Sequence, residues 1–123
     1  SGSPSIVGAV VTGDVLKLSF TAGTPEYQVV PQASAQFVAD ASGRPMQLPG
    51  TAGVRIVLRG FRGDMSNYIG QTDLRSTGPL LLQASKIGDF EGVVTFAAGT
   101  SGPACANVAA DESSLTFRFI AAP

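Results

Sequence analysis

The sequence is expected to fold as an all-β domain, an antiparallel sandwich of about seven short strands, with a small closed barrel as the alternative. Three observations predict this. Several segments alternate apolar and polar residues, most cleanly VRIVLR at 54–59, which is the period of a half-buried strand. Fifteen Gly and eight Pro in 123 residues punctuate the chain too often for long helices. No stretch shows the apolar stripe of an amphipathic helix. Two sheets packed face to face are the natural way for many short strands each to bury one side.

Taken in order, residues 6–11 (IVGAVV) form a short apolar strand, and Thr12-Gly13-Asp14 turns the chain into residues 15–21. There Leu16, Leu18 and Phe20 face inward while Lys17, Ser19 and Thr21 face water. Residues 26–30 (EYQVV) alternate again with Tyr27 and Val29 inward, and Pro31 ends the strand because it has no N–H for a ladder. Residues 33–40 are ambiguous between strand and helical turn. Ser42-Gly43-Arg44-Pro45 is a turn, and residues 46–49 are short and extended. In the strand at 54–59, Val54, Ile56 and Leu58 share the core face, and Arg55, Val57 and Arg59 the other. Residues 60–79 lack periodicity and read as one long loop, a length that in compact domains points to function or mobility. Residues 80–85 are a further strand. Residues 90–98 follow, with Phe90, Gly92, Val94 and Phe96 on one face. Residues 99–107 read as a Gly- and Pro-containing loop. Residues 115–120 (LTFRFI) close the chain with Leu115, Phe117 and Phe119 inward. Residues 1–5 read as a linker and 6–123 as a single domain.

Composition narrows the function. Eight basic and nine acidic residues leave a net charge of −1, without the basic excess of a nucleic-acid binder. There is no histidine and one cysteine, Cys105, so neither a zinc site nor an internal disulfide is expected. Cys105 reads as a half-buried small residue. No apolar run reaches the roughly 18 residues of a membrane helix. Thr100-Ser101 sits between glycines but lacks the strand-to-helix setting and the histidine of a nucleophile elbow. Leu48-Pro49-Gly50-Thr51-Ala52 resembles a sortase sorting motif, yet it precedes a strand instead of a hydrophobic tail and is not read as one. Asp89 and Glu91, if both lie in a strand, share a face with Cα atoms about 6.5 Å apart. The simpler reading has Asp89 capping a turn and Glu91 pairing across strands with Arg55 or Arg59. Asp64, Ser66, Asn67 and Asp73 offer oxygen ligands, but not in the spacing of a calcium loop. No catalytic residue, metal site or cofactor is expected.

Half of the basic residues, Arg55, Arg59, Arg62 and Arg75, fall in one segment. With Tyr68 and Asn67 they make a surface suited to carbohydrate or carboxylate, because arginine forks carboxylates and aromatic rings stack on sugars. A solvated sheet face accounts for the arginines equally well.

At these same residues the chain resembles a family. Gly43-Arg44-Pro45 with Leu48-Pro49-Gly50, the strand VRIVLRG, the FRGD turn and GDFEGVVTFAAG are similar to the AMIN-like domain of actinobacterial secreted proteins and lipoproteins. The likeness covers the middle and C-terminal two thirds, to LTFRFI. The first third departs, with Gly13-Asp14-Val15-Leu16-Lys17 where members carry a His-Pro-Gly-Phe-Asp-Arg-type turn. The resemblance implies a β-sandwich, export across the membrane, and a lipid anchor upstream of the folded part as the only membrane attachment. It also implies a distant relation to the domains that target cell-wall amidases to envelope polymers, and it supplies no catalytic residues. The expected function is therefore a non-enzymatic envelope domain that binds cell-wall glycan or an envelope protein. The candidate contacts are Arg55, Arg59, Arg62, Asn67, Tyr68 and Glu91. The alternative is an assembly module that pairs through an edge strand and takes no glycan.

Overall fold

The computed structural model describes residues 4–61, 68 and 70–123, and among them there is no helix. Eleven strands follow one another: β1 (Ile6–Thr12), β2 (Val15–Phe20), β3 (Glu26–Gln32), β4 (Gln36–Val38), β5 (Pro45–Gln47), β6 (Ala52–Arg59), β7 (Asp73–Arg75), β8 (Leu81–Phe90), β9 (Val93–Thr100), β10 (Ala104–Ala110) and β11 (Ser114–Ala121). They form a four-stranded sheet, β1-β2-β11-β10, and a five-stranded sheet, β3-β6-β9-β8-β7, with β4 and β5 as a separate hairpin. Every pairing is antiparallel. Neither sheet closes on itself, so the architecture is a sandwich and not a barrel.

The core lies between the two sheets and follows from the alternation. Leu16, Leu18, Leu115 and Phe117 of one sheet meet Val54, Ile56, Leu58, Val94 and Phe96 of the other, all with no exposed surface. Each such side chain stabilises the fold by about 1.5–3 kcal/mol relative to exposure. Tyr27 lies on this inner side at the edge strand β3, edge-on to Phe117 with ring centroids 6.2 Å apart, and remains 46% exposed. At one end Asp14 ties the layers together. Its carboxylate accepts the N–H groups of Leu80 and Leu81 at 3.0 and 2.8 Å, and its carbonyl accepts that of Phe119 at 2.8 Å.

The five-stranded sheet is covered on its second face as well. The β4–β5 hairpin lays Ala35, Phe37 and Met46, with Leu48 just beyond it, over Ala97 and Ile87. It can come this close because Gly53 lacks a side chain; a Cβ there would stand 2.6 Å from Cζ of Phe37 and 2.8 Å from the Ser34 carbonyl. The Asp40 N–H donates to the Ile87 carbonyl at 3.1 Å, and the Thr95 hydroxyl donates to the Asp40 carboxylate at 2.7 Å. Within the ambiguous residues 33–40, Gln36–Val38 form strand β4, and the residues on either side are bends and a turn.

Several expected boundaries move. There are eleven strands among the described residues instead of about seven, because β4, β5 and β7 have three residues each and carry too little pattern to be read, and β10 (ACANVAA) lacks a polar alternation. Residues 60–79 include β7, and the expected loop at 99–107 holds the end of β9 and the start of β10. Phe90 does not begin a strand; it ends β8 and faces outward, 48% exposed. Glu91 and Gly92 form the two-residue turn after it, with φ of 53° and 79°, the left-handed pair that a tight hairpin of this kind requires. Val57 is 4% exposed, although it shares a face with Arg55 and Arg59.

A bulge in β8 has a further effect. Lys86 pairs with Phe96 and Gly88 with Thr95, so Ile87 is the extra residue. In a regular strand residues three apart point to opposite faces. The bulge puts Lys86 and Asp89 on the same, inner face, where the ammonium meets the carboxylate at 3.0 Å with side chains only 13% and 7% exposed.

Two tests follow from this packing. Ile56→Asp places an unpaired carboxylate in the core at a cost of several kcal/mol; circular dichroism should show an unfolded chain, and a cooperative melt would contradict the packing. Asp111 accepts the Ser113 N–H at 2.9 Å and the Ser114 hydroxyl at 2.8 Å in the β10–β11 turn, and these bonds lower its pKa below the ordinary 3.8. A folded value below the unfolded one contributes stability that is full above 3.8 and lost as pH falls through the folded value. Asp111→Ala should therefore melt below the wild type at pH 7, with the gap narrowing in acid.

Candidate binding surface

The outer face of the five-stranded sheet is divided by the hairpin into a covered part and an open end. The register across the open end runs Glu26 (β3), Arg59 (β6), Val93 (β9) and Phe90 (β8). Arg59 and Phe90 are both exposed and flank the single strand β9, about 10 Å apart at the 4.8 Å strand spacing. At the β3 side of this row lies a shallow depression of about 290 Å³, lined by Glu26, Tyr27, Gln28, Val57 and Arg59. Val57 forms its apolar floor, between the two arginines of β6. Two larger depressions, of about 480 and 470 Å³, have no charged residue among the described residues of their linings. The depression at Arg59 offers a cation, a carboxylate and an amide to one ligand.

The expected contact residues separate into groups. Arg55 and Arg59 are exposed on one face of β6, four residues apart, with no ion pair among the described residues. Glu91 is exposed at the tip of the β8–β9 hairpin, beyond the end of the sheet that carries Arg59, and forms no cross-strand pair with either arginine. Asp89 instead joins Lys86 on the inner face, so the two carboxylates do not share a strand face. Tyr68 is not on the face that carries Arg55 and Arg59. Its ring packs against Phe96 in the core, centroids 6.5 Å apart, beneath the Lys86 ammonium at 5.5 Å. Its hydroxyl donates to the Gln71 carbonyl at 2.7 Å, and burial raises its pKa. Arg62 and Asn67 lie outside the described residues, as do Asp64 and Ser66 of the oxygen-rich loop.

The aromatic residue that shares the outer face with Arg59 is therefore Phe90, which the alternation pattern assigned to the core, whereas Tyr27 faces inward as that pattern requires. The dipeptide Glu91-Gly92 between two apolar runs was the available signal, because a two-residue turn there reverses the chain and sends Phe90 to the outer face. The remaining polar groups are occupied structurally. The Ser101 hydroxyl donates to the Pro79 carbonyl at 2.7 Å and the Thr100 hydroxyl to the Gly102 carbonyl at 2.8 Å. Asp73 accepts from Ser85 at 2.7 Å. Among the described residues no three cysteine, aspartate or glutamate side chains gather as metal ligands.

Comparison with family models, curated proteins and solved structures returned no match. The surface is read from its own chemistry.

That chemistry distinguishes two basic residues. Arg59→Ala should change stability by less than about 0.5 kcal/mol, the usual range for an exposed position. Lys86→Ala removes the ammonium that meets the largely buried Asp89 and should destabilise the fold more than Arg59→Ala does. Urea denaturation of both variants checks the contrast; equal losses would mean that Arg59 has a structural partner.

Proposed function

We propose that this domain is a non-enzymatic, extracytoplasmic module of the cell envelope that binds cell-wall glycan through the open end of its five-stranded sheet. The observation that carries this reading is the exposed Arg59 standing in one outer-face row with Glu26, Val93 and the exposed Phe90 on a strand-built platform. Aromatic faces stack on sugar rings, an arginine forks the carboxylates of peptidoglycan stems and acidic sugars, and Gln28 and Glu26 supply hydroxyl partners. A flat, rigid sheet suits an extended polymer, which needs a track and not a deep pocket. The resemblance of VRIVLRG and GDFEGVVTFAAG to the AMIN-like domain supports the same location and ligand class. On that reading the domain is secreted or held at the membrane only by an upstream lipid anchor, its partner is glycan or an envelope protein, and nucleic acid is not a ligand.

The test is retention on purified peptidoglycan at low salt. The wild type should be retained, and Arg59→Ala and Phe90→Ala should each weaken binding about tenfold, or 1.4 kcal/mol. Lys17→Ala, on the outer face of the other sheet, should bind as the wild type does. No retention of the wild type, or equal retention of all three variants, would overturn the proposal.

A further inference from the structure

The two sheets expose four edges, and three of them are blunted. β1 is broken by a register shift between Ile6 and Gly8, β3 contains Pro31, and β7 is three residues long with Asp73 and Arg75 at its ends. These are the usual devices that keep an edge from pairing with another chain. β10 has none of them. It runs seven residues, ACANVAA, without a charge, a proline or a break in its register with β11.

The hydrogen-bonding direction of β10 follows from its two ends. The Asp111 N–H donates to the Ser114 carbonyl at 3.0 Å, and the Ala122 N–H donates to the Pro103 carbonyl at 2.9 Å. Residues 103 and 111 therefore bond toward β11, and by strict alternation so do 105, 107 and 109. The N–H and C=O groups of Ala104, Ala106, Val108 and Ala110 point to the open edge, where the four-stranded sheet ends.

We propose that β10 pairs with β10 of a second copy of this chain, antiparallel about a two-fold axis at Asn107. In this register the outward groups meet. Ala104 lies opposite Ala110, Cys105 opposite Ala109, Ala106 opposite Val108, and Asn107 opposite its own copy. No charge meets a like charge, the facing side chains are small, and the two exposed Asn107 amides hydrogen-bond to each other across the axis. A strand with this near-palindromic order and no charge to specify a foreign partner is self-complementary, which is what a two-fold interface requires. The four-stranded sheet becomes a continuous eight-stranded one. The surface is distinct from the Arg59 platform and does not depend on the glycan reading.

Pairing through one strand buries less than the roughly 1,600 Å² of a standard interface, so association is concentration-dependent and is measured at about 0.1–1 mM. Sedimentation equilibrium should show a monomer–dimer equilibrium for the wild type. Asn107→Lys, an exposed change that sets two ammonium groups opposite each other, should weaken it at least tenfold with an unchanged melting temperature. A cysteine pair gives a second readout. In a Cys105→Ser background, Asn107→Cys brings two thiols together across the axis, with Cα atoms about 4.5 Å apart. Ala109→Cys leaves its two thiols about 13 Å apart along the strands. The first should form a disulfide-linked dimer at least ten times faster under mild oxidation. A wild type that stays monomeric at 1 mM, an Asn107→Lys variant that associates normally, or equal cross-linking rates would each overturn the proposal.

Discussion

The structure depends on the five-stranded sheet being buried from both sides. Its inner face carries Val54, Ile56, Leu58, Val94 and Phe96 against the second sheet, and its outer face accepts the β4–β5 hairpin. The second contact sets strict limits on side-chain size. Gly53 and Ala97 must be small for Phe37 and Ala35 to reach the sheet, and Gly88 leaves room for Asp40. The exposed arginines of β6 and Phe90 stand outside the hairpin's apolar contacts. The location of the candidate binding surface is thus a consequence of where the third layer stops.

Two local departures from regular strand geometry set the chemistry of the two faces. The bulge at Ile87 gives one apolar side chain to the hairpin and turns Lys86 and Asp89 together toward the interior, where Tyr68 covers them. The Glu91-Gly92 turn holds the far end of the same hairpin; the Gly60 and Phe61 N–H groups both donate to the Gly92 carbonyl at 3.2 Å. Together they direct the charged pair inward and the phenylalanine outward, the reverse of what polarity alone suggests.

The strands with one wet face were legible in the sequence. β2, β6 and β11 show it, with Leu16 and Leu18, Ile56 and Leu58, and Phe117 and Phe119 inward as their alternation requires. The doubly covered strand was not legible in the same way. β9 is buried at every position from Val94 to Thr100, so its pattern VVTFAAGT reports small size on one face and bulk on the other instead of polarity. Val57 fails for a related reason, as an apolar residue in an outward position that polarity counting leaves among arginines. The three-residue strands β4, β5 and β7 are held by tertiary contacts and carry no period of their own. Of the candidate contacts, Arg55 and Arg59 were legible as the outward set of a clear strand. Tyr68 was misplaced because its position comes from packing on Phe96 and not from any local pattern.

A domain with this layering presents one open sheet end to a ligand and one open strand to a partner, on opposite sheets of the sandwich. Both surfaces presuppose that the hairpin is seated on the five-stranded sheet. Residue-resolved native-state hydrogen exchange tests that most directly. β6 and β9 amides should exchange only through global unfolding, and the amides of Ala39, Asp40 and Leu48, bonded to Arg44, Ile87 and Ala35, should be strongly protected. Exchange of the Asp40 and Leu48 amides at the rate of an unstructured chain would contradict the account.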